Sequence, residues 1–147
     1  MKNLIKCLGS FFYLGYVPAI PGTVASAFGL ILYFLFRGNL YFYSLLLILV
    51  SAVGFLICGR AEEIFQEKDS KKIVIDEVAG LLLAFWAIAP NPVLLIAGFV
   101  IFRIFDVLKV YPAGRIERIG GSLGIMGDDL LAGFYTNIIL QTTMRLI

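Results

Sequence analysis

Long apolar runs separated by short polar segments set the pattern of this chain. Five runs predict apolar helices, and they cover residues 23–36, 40–58, 78–89, 93–110 and 130–147. The second run is the clearest, because its 19 residues carry no formal charge and approach the roughly 20 residues that a helix needs to cross a bilayer. The first has only 14 residues, so we expect a helix that is short, tilted or partly re-entrant. Strands are a weaker interpretation, since a membrane strand needs a closed barrel with alternating faces.

Two polar segments and the N-terminus complete the pattern. Segment 111–127 is one of them, and segment 59–72 is predicted to be a solvated loop or surface helix because it holds eight charged residues: Arg60, Glu62, Glu63, Glu67, Lys68, Asp69, Lys71 and Lys72. Pro90, Asn91 and Pro92 predict a tight turn, so the runs on either side of it should form an antiparallel pair. The first seventeen residues mix lysines with apolar residues, which is typical of a helix lying in the membrane interface.

The composition favours lipid as the solvent for most of the chain. Of the 147 residues, 61% are hydrophobic and 15% are charged, whereas soluble domains are about half apolar and a quarter charged. A chain of this length has room for one domain. We therefore predict a single membrane-embedded domain over residues 1–147, with an all-α, polytopic helical bundle as its fold. The net charge of +2 is too small to indicate nucleic-acid binding, and the absence of histidine excludes zinc–histidine sites and histidine-containing catalytic triads.

Lysine and arginine are distributed unevenly between the two sides of the predicted bundle. With five spans, one side receives Arg37 and Arg145, and the other receives nine basic residues: Lys2, Lys6, Arg60, Lys68, Lys71, Lys72, Lys109, Arg115 and Arg118. Cytoplasmic loops carry the excess of Lys and Arg in membrane proteins. We therefore expect a multi-pass protein of an inner (cytoplasmic) membrane of bacterial type, with the N-terminus and both polar segments facing the cytoplasm.

Five acidic residues lie inside the apolar runs or at their mouths, where a charge is costly and usually marks a site. They are Asp76, Glu77, Asp106, Asp128 and Asp129. With the predicted topology, all five fall at the cytoplasmic end of the bundle, although they are up to 53 positions apart in the sequence. Clustered carboxylates repel one another unless a cation lies among them. Oxygen ligands without histidine favour Mg²⁺ or Mn²⁺, so these residues are the candidate metal ligands.

A structural interpretation of the same residues is also open. Asp76 and Asp128 are good N-cap residues, and acids in a first helical turn suit the helix dipole. Asp106 does not fit that explanation, because it lies near the C-terminal end of its run, but it can pair with Arg103 or Lys109 three residues away. Arg103 and Lys109 share a broad face of the same helix and are candidates for binding phosphate; snorkelling to the interface is the alternative for the lysine.

Four motifs, in order and spacing, resemble the phosphatidylglycerophosphatase A family over roughly residues 8–140. They are Pro21-Gly22-Thr23-Val24-Ala25-Ser26, Ile75-Asp76-Glu77-Val78-Ala79-Gly80, Phe102-Arg103-Ile104-Phe105-Asp106-Val107-Leu108-Lys109 and Gly124-Ile125-Met126-Gly127-Asp128-Asp129-Leu130-Leu131-Ala132-Gly133. The resemblance implies an all-helical membrane enzyme that uses Mg²⁺ to hydrolyse phosphatidylglycerophosphate to phosphatidylglycerol and phosphate.

The resemblance also implies roles for individual residues. The acidic positions fall on the five candidate ligands, with Asp128 and Asp129 as catalytic candidates, and the basic positions fall on Arg103 and Lys109. From the first motif, Thr23 and Ser26 are expected to contact substrate. One departure is visible: the family usually continues Lys-Pro-x-Pro, whereas Val110 follows the lysine here, so the helix should end slightly later.

Three functions remain open from the sequence, and the first of them has two possible mechanisms. Hydrolysis of a phosphomonoester can proceed by attack of water with a carboxylate as base, or through an aspartyl-phosphate. Acids on several helices also suit a cation transporter or channel subunit, although here they gather at one mouth beside Arg and Lys. A Mg²⁺-dependent lipid phosphotransferase is the third alternative, but its spaced aspartate pattern is missing.

Overall fold

The computed structural model describes residues 1–68 and 70–146, and in this part the regular elements are helices joined by turns, without strands. Asp69, expected in the solvated segment, and Ile147, at the end of the fifth predicted span, lie outside the described residues. The elements are α1 (Lys2–Gly9), a 3₁₀ turn (Leu14–Tyr16), α2 (Pro21–Phe36), α3 (Leu40–Phe65), α4 (Ile75–Ala84), α5 (Pro92–Leu108), α6 (Ala113–Glu117) and α7 (Gly121–Leu146). The predicted all-α class is confirmed.

Side-chain caps and prolines fix where two of the long helices begin. The Asn39 side chain accepts hydrogen bonds from the backbone N–H groups of Tyr41 and Phe42 at the start of α3. Asn91 does the same at the start of α5, where Pro92 occupies the first helical position. Both features are favourable at a helix N-terminus. The turn predicted at Pro90, Asn91 and Pro92 therefore separates α4 from α5.

Helix α4 is the central element of the bundle. Eight of its ten residues are buried, and it packs against α2, α3, α5 and α7. At 1.5 Å per residue it is about 15 Å long, which is half of the roughly 30 Å hydrocarbon thickness of a bilayer. The third predicted span, 78–89, is thus a shorter helix that begins and ends earlier and does not cross a membrane by itself.

Two glycines let α4 and α7 cross at backbone contact. A Cβ added to Gly133 would collide with the Gly80 carbonyl oxygen, and one added to Gly80 would lie 2.6 Å from the carbonyl oxygen of Asp129. Small residues allow such close approach between helices. This crossing places the first turn of α4 beside Asp129 of α7. The clustered acidic residues of the site lie on these two segments.

Besides those of α4, three further helix boundaries that bear on the site differ from the sequence prediction. Helix α3 continues to Phe65, well into the segment predicted to be polar and solvated. Helix α7 already begins at Gly121, so Asp128 lies two turns inside the helix, and the N-cap interpretation of this residue is wrong. Helix α5 ends at Leu108, two residues before the end of the predicted run, and Lys109 adopts a left-handed conformation with φ 48°.

Hydrogen bonds between elements define two ends of the bundle. At one end, the Tyr33 hydroxyl donates to the Ile88 carbonyl, and the Asn137 amide donates to the carbonyls of Ala84 and Trp86. At the other end, the Val74 N–H donates to the Gly9 carbonyl. The second end, which we call the site end, carries α1, the start of α4 and the polar segments.

The outer surface of the bundle is apolar. Large side chains project from α2, α3 and α5, with Leu35 70%, Leu56 74% and Ile96 70% exposed. Within the described residues, α3 is the one helix that is long and apolar enough to cross a membrane, and α2 is apolar but shorter. So much exposed apolar surface is unusual for a monomer in water.

Candidate active site

Three carboxylates from two helices form the centre of the site end. Asp76 and Glu77 lie in the first turn of α4, and Asp129 reaches them from α7. One oxygen from each carboxylate can be chosen so that all three lie within 4.8 Å of one another. Asp76 is 7% exposed and Asp129 is 3% exposed, so these charges are largely withdrawn from water.

The carboxylates of this cluster are close enough together that they could hold a cation. Asp129 lies in the field of the other four candidate carboxylates, those of Asp76, Asp106, Glu77 and Asp128. Its Oδ2 atom is buried and accepts no hydrogen bond from the residues that the structure describes. A buried carboxylate without compensation costs several kcal/mol. The N-terminal dipole of α4 offsets part of that cost for the two acids in its first turn, but Asp129 lies inside a helix and gains nothing from it.

Asp106 pairs with a base next to the cluster. Arg103 Nη1 lies 2.6 Å from Asp106 Oδ2, one turn further along α5. The same guanidinium donates to Ser26 Oγ at 3.4 Å, and Ser26 Oγ donates to the Gly22 carbonyl at 2.9 Å. Since Ser26 is fully buried, its described contacts orient Arg103 and the start of α2.

The N-terminus of α2 closes directly over Glu77. A Cβ added to Gly22 would collide with Glu77 Oε1, and it would lie 3.4 Å from Arg103 Nη1. A side chain at this position would therefore force the Glu77 carboxylate to move. Thr23 follows in the first turn of α2 and is half-buried. The motif from Pro21 to Ser26 thus lies against the acidic and basic residues predicted to share its site.

Asp128 pairs with the second base. Lys109 Nζ donates to Asp128 Oδ2 at 2.7 Å and to Glu117 Oε1 at 2.7 Å. Sequence reasoning missed Glu117, because a glutamate in a polar segment has no signal that separates it from a solvated residue. The five predicted ligands therefore meet at one end of the bundle in two groups: three cluster with one another, and Asp106 and Asp128 each contact a base.

Comparison with known proteins identifies the family. The family model described as phosphatidylglycerophosphatase A matches residues 7–144. The chain belongs to the phosphatidylglycerophosphatase A family. The resemblance predicted from the four motifs is confirmed, and the chain is accordingly an enzyme, a phosphoric monoester hydrolase.

Individual relatives of the phosphatidylglycerophosphatase A family align over most of their lengths. Phosphatidylglycerophosphatase A of Escherichia coli (strain K12) is 33% identical, over 90% of this chain and 79% of the relative. Phosphatidylglycerophosphatase A of Haemophilus influenzae is 31% identical, over 95% and 88%. A Bacteroides thetaiotaomicron protein named "Putative phosphatidylinositol-3-phosphatase" is 33% identical, over 95% and 93%. No solved structure matches the chain.

Proposed function

We propose that this enzyme hydrolyses phosphatidylglycerophosphate to phosphatidylglycerol and phosphate, with Mg²⁺, at the cytoplasmic face of a membrane. The observation that carries the proposal is the cluster of Asp76, Glu77 and Asp129 with Arg103 and Lys109 beside it. Carboxylates suit a hard cation and basic side chains suit a phosphate, so the two together fit a phosphomonoester.

The residues present fit a magnesium ion. The donor set consists of oxygen atoms, and the buried Asp129 Oδ2 accepts no hydrogen bond from the described chain. Asp76, Glu77 and Asp129 would hold the ion, with Mn²⁺ as the other cation that such ligands accept. When bound, it would supply charge neutralisation and a site for orienting the attacking water.

The side chains around the cluster perform the rest of the reaction. Arg103 and Lys109 bind the phosphoryl oxygens and stabilise the charge that they carry in the transition state. Asp128 or Asp129 accepts a proton from water as the water oxygen bonds to phosphorus. The bond from phosphorus to the glycerol oxygen breaks, and the proton held by the carboxylate returns to that oxygen. The products are phosphate and the alcohol of phosphatidylglycerol.

The apolar outer surface supports a membrane location for this chemistry. Immersing the exposed faces of α2, α3, α5 and α7 in lipid removes them from water, and the acyl chains of the substrate would remain in the same layer. The site end holds the excess of Lys and Arg, which is typical of cytoplasmic segments. The headgroup then reaches the carboxylates from the cytoplasmic leaflet, in a multi-pass arrangement.

One relative favours a second lipid substrate. The Bacteroides protein carries the name of a phosphatidylinositol-3-phosphatase and aligns over 95% of this chain. A phosphomonoester on an inositol headgroup presents the same reacting group to the site. Hydrolysis of phosphatidylinositol 3-phosphate is therefore the alternative activity, whereas family membership favours a hydrolase over the transporter and phosphotransferase alternatives.

Phosphate release from purified protein tests the proposal. We expect release from phosphatidylglycerophosphate with Mg²⁺, none with EDTA, and slower release from phosphatidylinositol 3-phosphate.

Asp129→Asn should lower turnover about 100-fold or more, because it removes a charge from the cluster. Glu63→Gln, which changes an exposed residue of α3, serves as the control. Full turnover in EDTA or in Asp129→Asn would contradict the metal site, and faster release from the inositol lipid would favour the alternative.

A further inference from the structure

Glu117 lies at the edge of the site and shares a base with it. Its Oε1 accepts a hydrogen bond from Lys109 Nζ at 2.7 Å, and the same ammonium donates to Asp128 Oδ2 at 2.7 Å. The side chains of Glu117 and Lys109 are 34% and 27% exposed, and that of Asp128 is 7% exposed. Two carboxylates from different helices therefore share one partly buried ammonium group.

Glycines of α7 bring the short helix α6 close enough for this contact. A Cβ added to Gly124 would lie 2.8 Å from the Glu117 carbonyl oxygen, and one added to Gly127 would lie 2.5 Å from Ile116 Cγ2. Side chains larger than hydrogen at these positions would push α6 outward. Both glycines are therefore packing positions against α6.

Lys109 depends on outside contacts to place its ammonium. Its backbone lies just beyond the last turn of α5 in a left-handed conformation, and its four-carbon stem is flexible. Asp128 attracts the ammonium from α7, and Glu117 attracts it from α6. Without Glu117, the pull of Asp128 is no longer opposed by a carboxylate on α6, so the ammonium would move toward α7.

We propose that Glu117 is a positioning residue that holds the Lys109 ammonium between α6 and α7, where it meets the substrate phosphate. The role of Lys109 in this inference rests on the proposed function. Glu117 acts through the lysine and does not itself contact the substrate. A correctly placed ammonium contributes most where charge develops on the phosphoryl oxygens, so its displacement lowers kcat more than it raises KM.

Conservative substitutions of Glu117 test this role in kinetics. Glu117→Gln keeps the size of the side chain and removes its charge. We expect kcat to fall about tenfold or more with KM changed less than about twofold, and Glu117→Asp to restore part of kcat. Glu63→Gln removes a carboxylate from an exposed position of α3 and should leave both constants unchanged. Glu117→Gln kinetics equal to those of Glu63→Gln, or a rise in KM as large as the fall in kcat, would overturn the proposal.

A double-mutant cycle gives a second readout that does not require turnover. Glu117→Gln should lower the midpoint of thermal unfolding when Lys109 is present, and should have little further effect in Lys109→Met, because the partner is already gone. Equal shifts in both backgrounds would overturn the positioning role even in a protein that releases no phosphate, and absence of release from the wild type would refute only the proposed function. If Glu117→Gln does not fold, the same double-mutant cycle is made with Glu117→Asp.

Discussion

At the scale of residues, the acidic groups of the site end differ in what compensates their charge. Asp106 and Asp128 each lie within 2.7 Å of a basic nitrogen, whereas Asp129 lies among carboxylates and has a buried oxygen without a hydrogen bond from the described chain. The sequence identifies all of these acids because charges in apolar runs are costly. The spacing of three residues within α5 already predicts the pair of Asp106 with Arg103, whereas the pair of Asp128 with Lys109 depends on how α5 and α7 pack.

Gly22→Ala tests whether the start of α2 sets the position of Glu77. The added methyl group would collide with Glu77 Oε1 and crowd Arg103, so the carboxylate must move away from the cluster. We expect kcat/KM for phosphate release to fall about tenfold or more, because small misplacements at a reacting centre cost that much.

Gly38→Ala is the matched control for this change. Gly38 lies in the turn between α2 and α3, at the end of the bundle opposite to Gly22, and a Cβ there meets no atom within 4 Å. Its kinetics should equal those of the wild type. If Gly22→Ala also retained wild-type kinetics, the close contact between α2 and Glu77 would have no part in catalysis.

At the scale of elements, helix type was predictable from the sequence and helix ends were not. Apolar runs locate α2 and α5 within two residues at each end, and they locate the start of α3 but not its end at Phe65. Pro90, Asn91 and Pro92 locate the turn before α5. The start of α7 at Gly121 is not predictable from polarity. The composition of its first two turns resembles a loop, but these turns pack against α6. The predicted run continues past the end of α4, because the residues after Ala84 are still apolar. The helix ends at Ala84, and the next residue, Phe85, is buried although it lies outside the helix.

Gly133→Ala tests the crossing of α4 and α7. The new Cβ would collide with the Gly80 carbonyl oxygen, which is backbone and cannot rotate away, so the two helices must separate. Overpacking of this kind costs about 1–3 kcal/mol. We expect a lower midpoint of thermal unfolding together with loss of phosphate release, since Asp129 lies one turn away on the same helix. An unchanged midpoint, relative to Gly38→Ala, would show that the crossing tolerates a wider spacing.

At the scale of the whole molecule, the two ends of the bundle differ in chemistry. The site end carries the acidic cluster, its basic partners and the polar segments, and the other end carries the short turn between α2 and α3 and the residues around Ile88. Apolar side chains cover the sides between them. The convergence of remote motifs on one end was predictable from the topology, because each motif lies at an end of a predicted apolar run on the same side, although the motif with Asp128 lies inside α7 and not at its terminus. The length of each helix was not predictable in the same way, since α4 has only ten residues and its burial comes from neighbouring helices.

Accessibility to a membrane-impermeant maleimide tests the proposed orientation, in which the site end faces the cytoplasm. In a chain with Cys7→Ser and Cys58→Ala, single cysteines are introduced by Lys68→Cys, Arg118→Cys and Gly38→Cys, all at exposed positions. The first two lie at the site end and should react in inverted vesicles and stay protected in intact spheroplasts, because positively charged segments remain in the cytoplasm. The third should show the reverse pattern. Reaction of all three from one side would mean that the bundle does not cross the membrane, and the substrate headgroup would then have to reach the carboxylates from a surface-bound protein.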